Sequence, residues 1–181
     1  KRYTANADNS ITNAFESNLQ TRGTGSNAGA ADVLETFSIY GQESSGSSEL
    51  SRILVQFPVS DISSDRTAGT IPASGNVSFY LKMYNAETPW TLPQDFTLTI
   101  APLSRSWEEG AGLDMDNYQD LGTSNWMKAN NSTPWTAVGG DYLPNNNFNV
   151  LFEQGYENLE YDITDIVENW INGSSAGGYD N

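Results

Sequence analysis

The residues of this chain best suited to chemistry are acids and tryptophans gathered between positions 104 and 142. Asp114, Asp116 and Asp120 fall within seven residues, in DMDNYQD. Hard cations take about six to eight oxygen ligands, and alternate acids in a loop supply several, so this run is a candidate Ca2+ site. It lacks the glycine and closing glutamate of an EF-hand, and a solvated acidic loop is the plainer reading. Glu108 and Glu109 raise glycoside hydrolysis, which needs two carboxyls roughly 5–10 Å apart across the scissile bond. Neighbours on a strand point to opposite faces, so this pair is poorly placed to converge. No catalytic residue is assigned, and the chain is expected not to be an enzyme.

The tryptophans pose a sharper choice. Exposed aromatic rings stack on sugar faces, whereas buried ones fill a core. Trp90 in ETPWTLP and Trp135 in STPWTAVGG each follow a proline in a loop. With Tyr118 and Tyr142 as neighbours, they are the candidates for a glycan platform. Trp107 ends a strand and Trp170 falls on a helical stripe, so both read as core. Arg52, close to Glu49 and beside an apolar run, reads as a structural ion-pair partner. The segment TRGTGSNAGAAD lacks the Gly-Lys-Ser/Thr ending of a phosphate loop and reads as a flexible connection.

Composition removes further classes of function. The chain has no Cys and no His, which excludes thiol chemistry and the usual triad base, zinc ligand and pH switch. Its net charge of -15, from 23 acids against 8 bases, argues against a nucleic-acid partner, since phosphates need clustered Lys and Arg. No run approaches the ~18 apolar residues of a membrane span, so no membrane insertion is expected. The opening KRYTANADNS holds no apolar signal core, which leaves cytosolic assembly or removal of a leader.

The elements that must position these residues show themselves by period. In NVSFYLKMYN, Val77, Phe79, Leu81 and Met83 share one face, the period of two of a half-buried antiparallel strand. SRILVQFPV places Ile53, Val55 and Phe57 on one face, and Pro58 ends the ladder. FTLTIAPL, VLETFSIYG, FNVLFEQG and LEYDIT are further strands, with NSITNA a short one near the start. GQESSGSSE and SDRTAGTIPASG read as turn-rich connections. In TDIVENWING the period becomes helical, with Ile166, Val167, Trp170 and Ile171 on one stripe, Thr164 or Asp162 as cap and Gly173 as stop. The expectation is an all-β, two-sheet antiparallel sandwich with long loops and one short helix at about 164–172.

The order of motifs adds a resemblance. SRILVQFPVSDI, ASGNVSFYLKMYN, LTIAPLSRSWEEG, WTAVGGDY and YDITDIVENWINGSS, in that order, resemble the DNRLRE domain family over residues 8–181. That family has a carbohydrate-binding-module-like jelly roll. The resemblance implies structural roles for Arg52, Trp107, Glu109, Gly110, Trp126 and Trp170, and a structural turn at Trp-x-Glu-Gly. It also implies a closing strand after the helix. The chain is therefore expected to be a single jelly-roll domain over 1–181, an N-terminal part of a longer polypeptide.

A narrower likeness, in ITNAFESNLQTRGTGSN with ELSRILVQFPVS, is to structural proteins of marine tailed bacteriophages. It implies a virion protein assembled in the bacterial cytoplasm, with other virion subunits as partners and a host-surface glycan as a further one. The alternative is an extracellular carbohydrate-binding module of a secreted, polysaccharide-processing protein.

Overall fold

In the computed structural model, which describes residues 1–40, 48–113, 118 and 120–173, the alternating segments pair as antiparallel ladders. The chain is mostly strand and loop, with two α-helices among the described residues. It divides into two compact units, one of Thr4–Phe57 and Arg105–Asp141, the other of Lys1–Tyr3, Pro58–Ser104 and Tyr142–Asn181.

The first of these units holds β1 (Ala7–Thr12), β2 (Ser38–Tyr40) and β3 (Ser48–Gln56), in the order β1-β3-β2. The register runs from Ala7 opposite Gln56 to Thr12 opposite Ser51. Asn9, Ser10, Ile11 and Thr12 are all buried, so both faces of β1 are covered. That is tolerable for polar side chains only if each is hydrogen-bonded. Ser10 Oγ accepts the Glu35 N–H at 2.9 Å, and Thr12 Oγ1 donates to the Leu50 carbonyl at 2.8 Å. On β3 the alternation differs from expectation: Glu49, Ser51 and Leu54 are buried, whereas Ile53, Val55 and Phe57 are half-buried. β3 is the middle strand, and partial cover on both faces erases a single core side.

The second unit contains α1 (Val59–Thr67), β4 (Tyr80–Met83), β5 (Phe96–Ile100), β6 (Phe148–Phe152), β7 (Leu159–Asp162) and α2 (Thr164–Ile171). β4 pairs with β7 and β5 with β6, and along β4 and β5 the odd or even residues alternate between cover and solvent as the sequence requires. Ile62, Ile71, Ile163, Ile166 and Val167 form its core, with Leu81, Phe148 and Trp170 packed against it. Phe96 and Phe152 stack at 5.0 Å across the β5–β6 ladder.

α2 ends as its sequence dictates, but Ile163, not Thr164 or Asp162, stands at its N-cap position. The Asp162 carboxylate accepts the Thr164 N–H at 2.9 Å, and Gly173, at φ +62°, follows the last turn. The helix α1 corrects the reading of residues 64–67 as part of a turn-rich connection and of the fold as having one helix. Its sequence has no apolar stripe, and Ile62 is its one buried residue. Contacts made elsewhere hold it: Arg66 donates to both Glu168 oxygens at 3.2 and 2.7 Å, and Lys1 and Tyr3 both reach Asp65. Burial, then the hydrogen bond to Asp65, pushes the Tyr3 phenol up to about 12.

Candidate functional site

Glu109, Gly112 and Ser124 close around a side chain that the sequence did not single out. Asn27 is fully buried. Its Nδ2 donates to the carbonyls of Glu109 at 2.7 Å and Ser124 at 2.8 Å. Its Oδ1 accepts the N–H groups of Gly29 at 3.1 Å and Gly112 at 2.9 Å. Asn9 repeats the pattern beside it, donating to Ser124 Oγ at 2.8 Å and accepting the Ala28 N–H at 2.8 Å. The backbone closes tightly on this amide: a Cβ on Gly112 would stand 1.8 Å from the Asn27 carbonyl oxygen. The segment TRGTGSNAGAAD is thus a packed loop, which corrects its reading as a flexible connection. Its glycines permit close approach of backbone.

The tryptophans of this stretch are inside. Trp107 and Trp126 are buried, as the structural reading requires. Trp135 is only 5 % exposed, and its indole N–H donates to the Asn125 carbonyl at 2.8 Å. This corrects its assignment to an exposed platform: its loop folds the ring inward, where the indole N–H finds an acceptor. Arg52 lies with its guanidinium 4.9 Å from the Trp126 ring centre and donates to the Gly139 carbonyl at 2.5 Å. Such a cation–π contact contributes about 1 kcal/mol. Its nearby acid, Glu49, accepts the Phe15 N–H instead, at 2.6 Å.

The acids are likewise engaged. Glu109 Oε1 accepts the Asp8 N–H at 2.8 Å, beside Gly110 at φ +89°, while Glu108 is exposed. Burial, with the Glu109 carboxylate second, raises the Asp8 carboxyl above its ordinary value. Burial alone would push Asp141 up as well. The N–H groups of Ala137 and Thr136 and the Arg105 guanidinium at 2.6 Å outweigh it and hold that carboxyl low. Of the candidate calcium ligands, Asp114 and Asp116 lie outside the described residues. Asp120 Oδ2 accepts the Leu113 N–H at 2.9 Å. Tyr118 is half-buried in the left-handed region at φ 55°, with Gly23 against its ring.

In the unit that holds the helices several aromatics face water. Trp90 is 80 % exposed, and Tyr142, bridged to Leu103, is also exposed. Trp170 is half-buried against the isoleucine core, as the helical stripe predicts. Three exposed rings were not among the candidates: Tyr80 on β4, Tyr84 just past it, and Tyr156 before β7. Alternation already put Tyr84 opposite the apolar face, which was the available signal. No protein-family model, curated protein or solved structure matches the chain.

Proposed function

We propose that this chain is a non-enzymatic structural protein of a bacteriophage particle, a DNRLRE-type module that decorates or joins subunits of the head, neck or tail. The observation that carries this reading is the commitment of Glu109, Asp141 and three tryptophans to internal ties. Glu109 caps a strand N–H, Asp141 is bound by two N–H groups and an arginine, and three tryptophans fill a core. A buried network of this kind favours one conformation, which suits a subunit that must present the same surface in every copy. As the finer architecture we propose a jelly-roll sandwich; the antiparallel pairing of every described ladder supports it.

The test is sedimentation of a lysate of the producing cells, with immunoblotting for this chain across the gradient. Recovery with fast-sedimenting particles in moderate salt supports the reading, and recovery only among slow soluble proteins sinks it. A second reading, a carbohydrate-binding module of a secreted polysaccharide-processing protein, is favoured by the exposure of Trp90. A sugar-stacking indole must stand free of its own core, and this one does.

A further inference from the structure

Past the end of the β4–β7 ladder, two loops are fastened to each other. The last register pair is Met83 with Leu159. Beyond it the Asn85 N–H donates to Asn158 Oδ1 at 2.9 Å, and Asn85 Nδ2 donates to the Gly155 carbonyl at 3.2 Å. Gly155, at φ +84°, lies so close to the other loop that a Cβ would stand 2.1 Å from the Pro93 oxygen. Tyr84, Trp90 and Tyr156 therefore stand on one fastened loop pair, at 70, 80 and 65 % exposure. Tyr84 continues the solvent face of Tyr80 and Lys82 by the period of two.

The surroundings select the occupant. The sequence holds no Lys or Arg between residues 83 and 104 or between 143 and 163, while Glu87, Asp95, Glu153 and Glu157 are acidic. Lys82, the nearest base in sequence, is paired with Glu160 at 2.9 Å. An anionic chain is repelled here. A protein face would have to desolvate these carboxylates and amides, at a cost that unpaired groups do not recover. The hydroxyls of an uncharged sugar instead donate to them, while its C–H face covers a ring.

We propose that the loop pair 84–93 and 153–158 binds a neutral polysaccharide, with Trp90 as the stacking ring and Tyr84 and Tyr156 as flanking ones. This rests on the carbohydrate-binding reading and supplies its site and ligand class.

The experiment is affinity electrophoresis of the chain through gels containing hydroxyethyl cellulose, galactomannan or dextran, with polygalacturonate as the anionic probe. At least one neutral polymer is expected to retard the chain and polygalacturonate is not. Trp90→Ala should weaken retardation about five- to tenfold, with smaller losses for Tyr84→Ala and Tyr156→Ala. Gly155→Ala keeps all three rings but forces the loops apart, and it too should weaken retardation; circular dichroism confirms that each variant is folded. Retardation by a neutral polymer that survives all four substitutions overturns this surface while leaving the carbohydrate-binding reading standing. No retardation by any neutral polymer overturns both, and retardation by polygalacturonate alone overturns the ligand class. Self-association abolished by Trp90→Ala, without glycan retardation, assigns the rings to a protein contact and overturns the proposal.

Discussion

Asn27 does with one amide what a cluster of aliphatic side chains does in other cores: it draws together backbone from residues 29, 109, 112 and 124. Removing the amide takes a hydrogen-bond partner from four covered or partly covered backbone groups, of which the Ser124 carbonyl keeps another, Asn9 Nδ2. Asn27→Ala is therefore expected to lower stability by about 3–5 kcal/mol, read from the denaturant midpoint at constant m-value. Asp8 makes a prediction of opposite sign. Its folded pKa is raised by burial and by Glu109, so ionisation costs the folded state. The stability tied to its neutral form is complete below the unfolded value and is lost as pH rises through the folded one. Asp8→Asn should accordingly raise the melting temperature at pH 7 and leave it nearly unchanged at pH 3. Equal shifts at both values would exclude the titration as the cause. Nothing in the spacing of Asn9, Asn27 or Glu109 marked them as neighbours, because hydrogen-bond partnership across a fold leaves no period in a sequence.

The strands and α2 were legible because their signals are local. Alternation along β4 and β5 and the stripe of Ile166, Val167 and Trp170 follow from how side chains leave a strand or a helix. The helix α1 was not legible, since VSDISSDRT has neither stripe nor strong formers. Asp61 in its first turn and Arg66 in its last suit the helix dipole, but such terms contribute only about 0.3–1 kcal/mol each. Its docking decides the matter. Arg66 meets Glu168 of α2 with both side chains largely covered, and the guanidinium holds the Glu168 carboxyl below its ordinary value. Arg66→Ala leaves that largely covered carboxylate without its cation, with Ser74 as its remaining side-chain partner, at a cost of about 2–4 kcal/mol. Hydrogen exchange should show the loss first in the amides of α1, with those of β1 and β3 still protected. Uniform loss across all three elements would contradict an element-level role.

Across the whole molecule the dominant quantity is the net charge of -15. Self-repulsion of this size destabilises the folded chain and opposes the packing of copies, and salt screens both. The melting temperature is expected to rise between roughly 10 mM and roughly 300 mM sodium chloride, over which the Debye length shrinks severalfold. A flat or falling profile would mean that ion pairs such as Arg66–Glu168 and Arg105–Asp141 outweigh the repulsion. By itself the sequence determined the all-β class, most strand positions, α2 and the excluded chemistries. These depend on side-chain period and on residue types that are present or missing. Only the tertiary structure decided that Trp135 is inside, that α1 is a helix, that Asn27 is a hub, and that Trp90 shares its loop pair with Tyr84 and Tyr156. Those outcomes depend on which distant groups meet. Asn9 and Ser124 lie 115 positions apart, and no local pattern encodes the free energy that each gains by finding the other.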